Sequence, residues 1–333
     1  MKHFLCIYYE TEKVYGARLD IPEVPGKDSG SLREGLIQAV GATKVDTIIA
    51  NHKNFADALR FVFAELTKDI GPERFLTIVG HGPFKFESRR LSVSRTARGP
   101  AGGANLKAVF VPELIAEENL IAITDAVAVA CAGYWSHYTG AHASRSYTVA
   151  SLIAGIGVGG ALVQKYGRSI GRAHHSEFGH TRVHVVQEDR DPINVCRHHD
   201  CCLQGMTCWA ALGERAKRSG LEGIEDLIAD PHHDLWYCQA KYLAQGCQTF
   251  MFTAPPFQIV LCGSMFDHAP HLVDMVLEAI RYETGPEFLY PAAKRQEFVV
   301  YRSLVQEALI GGLHSGLTAS QKAPVIGLHR RVD

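Results

Sequence analysis

An alternating α/β fold is what this sequence predicts, and three observations carry the prediction. Short apolar runs end in glycine, as buried strands do: FLTIVGHG at residues 75–82 and QIVLCG at 258–263. Between such runs lie segments with helical spacing, the clearest having Phe55, Leu59, Phe63 and Leu66 on one face. The chain has 333 residues, enough for two domains that each bury a core.

In order from the N-terminus, FLCIYYETEKVYGARLDI reads as two strands around a Glu-Thr-Glu-Lys turn, and VDTIIANH as another strand. ADALRFVFAEL is a helix and FLTIVGHG a buried strand. Residues 88–105, rich in Arg, Ser, Gly and Pro, predict a long loop. VPELIAEENL predicts a helix, LIAIT a strand, and DAVAVACAGYWSHY a helix that starts beside Asp125. SYTVASLIAGIGVGGALV holds two strands divided by glycines. Helices follow near 203–218, 234–251 and 267–284, with the strand QIVLCG between the last two and a final helix near 303–317. No internal repeat is visible, although two lobes of one fold can be duplicated without visible identity.

Charge and composition exclude some function classes. With 34 basic against 35 acidic residues, no field draws in nucleic acid or a membrane surface. No run approaches the roughly eighteen apolar residues of a membrane span. Glu10 and Glu12 interrupt the apolar core that a signal peptide would need. Nine cysteines, an odd number, read as reduced thiols and metal ligands, which predicts a cytoplasmic protein.

The densest chemistry lies between His174 and Gly205. His180, Cys196, His199 and Cys202 form the pattern His, then Cys-x2-His-x2-Cys sixteen positions later. Two thiolates and two imidazoles make the closed tetrahedral set of a structural Zn²⁺ site, with no position left for a catalytic water. Cys201 and His198 stand in the same run as alternative ligands. The competing reading is a chance cluster in a chain rich in Cys and His.

Glu177 and Gly179 stand directly before the first ligand. HSEFGH, the zinc loop and CLQG together resemble the sugar kinases of the repressor–ORF–kinase (ROK) family. The nearest branch is fructokinase-like, in which an H-P-E-x-G-H segment precedes a Cys, His, Cys zinc loop. LIAGIGVGGALVQKYGRSIGRAHH is similar to the family's second phosphate loop and hairpin, and DLWYCQAKYLAQGCQTFMFTAPPFQIVLCGSMF to the elements that meet adenosine. The resemblance covers about residues 75–315, and the first seventy follow it poorly. It implies a two-lobed actin-like ATPase (ribonuclease H-like) fold. The N-lobe would cover 1–118, completed by the helix near 303–317, and the C-lobe 119–333 with the zinc loop 180–202. It further implies transfer of a phosphoryl group from ATP, with Mg²⁺, to a hydroxyl of a fructose-, glucose- or mannose-like hexose, by a homodimer.

The resemblance assigns roles residue by residue. Asp125, in AITDAVAV, matches the Asp of the family's Asn-Asp-x-Asn, which takes the proton from the attacking sugar hydroxyl. Read alone, Asp125 is better taken as a helix N-cap; within the family pattern the base is favoured. Thr124 and Val127 replace the two Asn residues, and Thr124 is expected at the substrate. Gly155, Gly157, Gly159 and Gly160 match the phosphate loop, where glycine lets backbone N–H groups approach phosphate. Ile156 stands where the family has Thr, and Ala161 at its last Gly. Gly263 keeps part of the adenosine-side turn between Cys262 and Ser264. Glu177, His180 and His175 would line the sugar pocket, with His180 shared with zinc.

The N-terminus departs from the pattern. The family opens with D-x-G-G-T-K, whose glycines bring backbone to phosphate and the Mg²⁺ shell. Here Tyr8 replaces the Asp, and Glu10 and Thr11 replace the glycines. Glu10 and Glu12 would repel a polyphosphate, by roughly 4 kcal/mol per close charge pair at an effective dielectric of 20. Two functions stay open on these residues: a sugar kinase with a divergent nucleotide site, and a pseudokinase that binds a sugar or a protein partner. A sugar-responsive repressor is disfavoured, because the family's repressors carry an N-terminal helix-turn-helix and this chain begins with the hairpin.

Overall fold

The computed structural model describes residues 1–21, 30–82, 84–87, 90–93, 100–111, 113–136, 148–166, 169–170, 177–288 and 298–320. The chain forms two compact units. One comprises Met1–Ser146, Val163–His175 and Val305–Asp333, the other Tyr147–Leu162 and Ser176–Leu304.

The first unit begins with β1 (Lys2–Tyr9), β2 (Lys13–Ile21), α1 (Gly30–Thr43), β3 (Val45–Ile48), α2 (Phe55–Leu66) and β4 (Arg74–Gly80). It continues with β5 (Phe84–Glu87), β6 (Arg90–Val93), α3 (Leu106–Phe110), β7 (Leu120–Thr124) and α4 (Asp125–Ser136). Its main sheet has the order β3-β2-β1-β4-β7. β1 is buried from His3 to Tyr9, as a central strand covered on both faces must be. α2 forms where its spacing predicts. Asn54 accepts from the Asp57 N–H at 2.9 Å to cap it, and Phe55, Leu59, Val62, Phe63 and Leu66 are its buried face.

Three sequence expectations change here. VPELIAEENL is not one helix: α3 ends before it, and only a 3-10 turn at Glu117–Asn119 follows. Pro112 explains the break, because the residue before proline is driven to extended backbone, and Val111 lies at φ −109°, ψ 139°. The stretch read as a loop from residue 88 contributes β6, paired with β5 from Phe84↔Val93 to Glu87↔Arg90. The lobe boundary was expected near 118, but β7 hydrogen-bonds to β4, so β7 and α4 fall in the first unit.

The second unit holds β8 (Thr148–Ala154), β9 (Val158–Tyr166), β10 (Ser169–Ile170), α5 (Leu203–Thr207), α6 (Trp209–Arg218), α7 (Ile224–Ala229) and α8 (Asp234–Thr253). β11 (Gln258–Cys262), α9 (Ser264–His268), α10 (Leu272–Phe288) and β12 (Val299–Tyr301) complete it, except that the far end of β9 and β10 cluster with the first unit. Its sheet order is β10-β9-β8-β11-β12. Numbered within its own sheet, each five-stranded array runs 3-2-1-4-5, so the two sheets share one topology. The last helix, α11 (Leu304–Ser320), belongs from Val305 to the first unit. There the Arg33 guanidinium on α1 donates to Glu307 of α11 at 2.9 Å and to the Ala132 carbonyl of α4 at 2.8 Å. Glu307 is buried, so removing either ionic partner would strand a charge, at about 3–5 kcal/mol.

Candidate functional site

β1, β4 and β7 run parallel, with Tyr9 opposite Gly80 and Gly80 opposite Thr124. Their carboxyl ends therefore emerge at one edge, where α/β sheets collect ligands. The next residues in the chain are Glu10, His81 and Asp125. Thr124 is buried, and its hydroxyl accepts from the Val127 N–H at 3.4 Å at the start of α4. Asp125 accepts from the adjacent Ala126 N–H through Oδ1 at 2.8 Å. Its Oδ2 lies 3.0 Å from His81 Nδ1. His81 was missed by sequence reasoning; its signal was a titratable residue at a strand end, in IVGHG. Burial alone would lower the His81 pKa, but the hydrogen bond and charge of Asp125, with the charge of Glu10, raise it.

The turn between β1 and β2 is filled by side chains. Tyr8 and Tyr15 are opposite one another across the hairpin, their rings stacked at 5.9 Å. The Tyr8 hydroxyl donates to Glu10 Oε1 at 3.2 Å and the Tyr15 hydroxyl to Oε2 at 3.3 Å. Burial, then the charges of Glu10 and Asp125, hold the Tyr8 phenol well above its ordinary pKa, so it stays a donor. A carboxylate clamped by two phenols stands where the resemblance expects bare backbone. These residues do not fit the grip that the family's hairpin makes on phosphate and Mg²⁺.

In the second unit, His180, Cys196, His199 and Cys202 place their ligand atoms within 4.8 Å of one another. Cys196 Sγ lies 3.7 Å from His180 Nδ1 and 3.6 Å from His199 Nδ1, and Cys202 Sγ lies 3.7 Å from His180 Nδ1. Tetrahedral bonds of Zn–S and Zn–N length set such donors about 3.6 Å apart, so the cluster fits zinc. Cys201 and His198 are not in it. The backbone holds the loop ends together: Leu203 N–H donates to the Thr181 carbonyl at 2.8 Å, and Val183 N–H to Cys201 at 2.8 Å. Burial raises the Cys196 thiol, but hydrogen bonds from His198 and His199 bring it down to about 7. Burial pushes Cys202 up to about 11, so Cys196 is the easier of the two to deprotonate, and a metal bound by both would displace their protons.

Glu177 is exposed and leads into the 3-10 turn Phe178–His180. Phe178 anchors that turn by stacking on Phe250 of α8 at 3.9 Å. A Cβ on Gly179 would collide with the Val158 carbonyl, so only glycine lets the His180 segment lie against β9. The turn between β8 and β9 is bare backbone at Gly155 and Gly157, with Ile156 exposed between them. The Trp209 N–H donates to the Gly155 carbonyl at 2.9 Å and the Val158 N–H to Gln204 Oε1 at 3.2 Å. Gly159 follows at the start of β9, and Gly160 faces Phe178 and Phe250. Gly263, at φ +103°, turns β11 into α9 beside the Ala154 carbonyl. The two turns are tied where Trp209 Nε1 donates to Ser264 Oγ at 2.9 Å. A cavity of about 450 Å³ opens beside Trp209, lined also by Gly213, Lys217 and Ile224. His175 lies outside the described residues.

The ROK family model matches residues 116–314 of this chain. A fructokinase from Pediococcus pentosaceus is 30% identical over 173 residues, 52% of this chain and 55% of the relative, so the match spans about half of that curated relative. The fold is similar to a ROK hexokinase from Thermus thermophilus, with a TM-score of 0.62 at 18% identity over 96% of this chain and 99% of that one. It is also similar to a ROK family protein from Streptococcus pneumoniae in complex with sucrose, with a TM-score of 0.61, 15% identity, and 96% and 99% coverage. For a ROK glucokinase from Streptomyces griseus in complex with glucose and AMPPNP, the TM-score is 0.58 at 15% identity, with 94% and 98% coverage. At these identities the structures speak for the fold: an α/β chain of the actin-like ATPase type. Among the described residues, no helix is long and apolar enough to cross a membrane.

Proposed function

The chain belongs to the ROK family, and on that premise we propose that it is a sugar kinase that phosphorylates a hexose hydroxyl, with Asp125 as general base. The observation that carries this reading is the position of Asp125. It follows a parallel strand at the ligand-collecting edge, and while its Oδ1 accepts from the Ala126 N–H, its Oδ2 is turned to the His81 imidazole and not to the helix. A carboxylate so placed accepts the hydroxyl proton as the oxygen attacks phosphorus. The proposed substrate contacts are Glu177, His180 and His175, and the sugar class is fructose-, glucose- or mannose-like. The phosphoryl donor ATP is proposed to meet the Gly155–Gly160 turn and the Gly263 turn, with the Trp209 cavity beside them. Mg²⁺ would neutralise donor phosphates, but no step is assigned to it at the β1–β2 hairpin, whose residues do not suit it. His180, Cys196, His199 and Cys202 are proposed to hold one structural Zn²⁺ that orders the loop carrying Glu177. A cytoplasmic homodimer is part of the same proposal.

The pseudokinase reading rests on one observation, the Glu10 carboxylate held by Tyr8 and Tyr15 where phosphate would approach. Phosphoryl transfer assays over a hexose panel, with calorimetric titration of Mg-ATP, decide between the two. The kinase reading expects transfer by the native protein and a loss of about 10²- to 10⁴-fold in kcat for Asp125→Asn, with sugar affinity kept. Sugar binding without transfer to any hexose would give the pseudokinase reading. Undiminished turnover in Asp125→Asn would remove Asp125 from the chemistry.

A further inference from the structure

His81, paired with Asp125, is the feature that the kinase reading leaves unused. His81 follows β4 and Asp125 follows β7, so neighbouring parallel strands bring the two together at 3.0 Å. The Asp125 side chain is 12% exposed and that of His81 is 39% exposed. The imidazole is therefore the more exposed member of the pair. Its backbone is fixed as well, because the Tyr9 hydroxyl on β1 donates to the His81 carbonyl at 3.2 Å and the Tyr9 ring meets the imidazole edge-on at 6.4 Å.

We propose that His81 is a positioning residue for Asp125: its Nδ1–H holds one carboxylate oxygen, and gain or loss of its second proton switches the basicity of the pair. This rests on the kinase reading above. In transfer, the acceptor O–H bond breaks and its proton passes to Asp125. The acceptor oxygen bonds to the terminal phosphorus of the nucleoside triphosphate, and the bond from that phosphorus to the bridging oxygen breaks, so the diphosphate leaves. With neutral His81, Nδ1–H orients Asp125 and leaves it a full anion to receive that proton. With imidazolium, a cation beside the carboxylate stabilises its charged form and weakens it as a base. The carboxyl groups that act on His81 are those of Asp125 from α4 and Glu10 from the β1–β2 turn, and the Tyr9 phenol of β1 packs beside it. Both carboxylates favour the imidazolium, and together they outweigh burial. The acid limb of transfer therefore sits above the ordinary imidazole range, with activity lost as pH falls through it.

Two substitutions separate orientation from titration. His81→Asn keeps an N–H donor near the Nδ1 position but cannot titrate; His81→Ala loses both. The expected result is an acid limb in kcat/KM for the native protein that disappears in His81→Asn, whose plateau stays within about threefold. His81→Ala should lower the kcat plateau about ten- to hundredfold, the worth of one charge-assisted hydrogen bond. An unchanged limb in His81→Asn, or an unchanged plateau in His81→Ala, would overturn the proposal while the kinase reading stands. If the native protein transfers phosphate to no hexose, the kinase reading fails, and the coupling is then judged by NMR titration of the His81 ring. A His81 pKa above the ordinary range that falls back in Asp125→Asn supports the pairing. Equal titration in the two proteins refutes it.

Discussion

The β1–β2 turn and the β8–β9 turn occupy the same place in two sheets of one topology, yet they are built in opposite ways. The first is side chain: Glu10 reaches two phenols and closes the mouth of the hairpin. The second is backbone: Gly155 and Gly157 have no side chain, and Gln204 and Trp209 hold the turn from outside. An open turn needs external support, because bare backbone contributes no packing of its own. That support comes from the segment just after the Cys/His cluster, since Gln204 directly follows Cys202 and Leu203. A filled turn supports itself, at the cost of the space a phosphate would use. The two sheets thus share a strand order and differ in how the first turn of each is held.

The largest expected effect tests the external support. One Zn²⁺ per chain should be found by metal analysis, and chelation should release the loop from Glu177 to Gly205. Structural zinc contributes on the order of 10 kcal/mol in small zinc-finger peptides, so Cys202→Ser should cost several kcal/mol here. Hydrogen exchange makes the comparison direct. On chelation, protection should fall around Gly155–Val158 and Thr181–Leu203, while β1 and β2 keep theirs. Uniform loss over both sheets would show that the metal holds more than one turn, and an absence of zinc would remove the premise.

How much of this was legible in the sequence follows from the range of each interaction. The four candidate metal ligands lie within 23 positions, and their spacing alone named the set that the structure brings together. β4, β7 and β11 were readable because parallel strands buried on both faces are continuous apolar runs. The β5–β6 pair was not, since short strands in a polar stretch carry no such run. His81 could not be assigned either, because its partner lies 44 positions away and only the strand register joins them. Asp125 was ambiguous between cap and base because both readings use the same local pattern. In the structure the Thr124 hydroxyl accepts from the Val127 N–H and Asp125 Oδ1 from the Ala126 N–H, so both residues serve the helix start.

Next in size is the charge in the filled turn. Glu10→Gln keeps an oxygen acceptor for one phenol and turns an NH2 donor to the other, whose hydroxyl can accept, while it removes an anion from the mouth of the hairpin. A close like-charge pair costs between about 1 kcal/mol in water and about 4 at an effective dielectric of 20. Mg-ATP affinity should therefore rise about fivefold or more, with stability nearly unchanged. Glu10→Ala should show the opposite balance, leaving the buried Tyr8 hydroxyl without its acceptor at about 1–3 kcal/mol. Equal ATP affinity in Glu10→Gln and the native protein would mean that this turn does not face the nucleotide, and the comparison would lose its functional meaning.

The smallest effect lies in the open turn, where two glycines should separate packing from ligand access. A Cβ on Gly160 would lie 2.5 Å from Phe178 and 2.7 Å from Phe250, two rings stacked on each other with no room to yield. Gly160→Ala is then an overpacking change of about 1–3 kcal/mol, visible as a lower denaturation midpoint. At Gly157 the nearest atom to an added Cβ is Gln204 Oε1 at 3.3 Å, the end of a flexible side chain. Its backbone is not left-handed, and replacing glycine there also removes freedom from the unfolded chain, which offsets the crowding by about 0.4–1 kcal/mol. Gly157→Ala should thus leave stability within about 0.5 kcal/mol of native, in the range of ordinary surface changes. Its effect should appear in Mg-ATP titration as a few-fold weaker affinity, because a methyl group would stand where phosphate oxygens approach the N–H groups. Weaker ATP binding at unchanged stability marks the turn as a phosphate contact; unchanged affinity in a stable Gly157→Ala would leave it a plain hairpin.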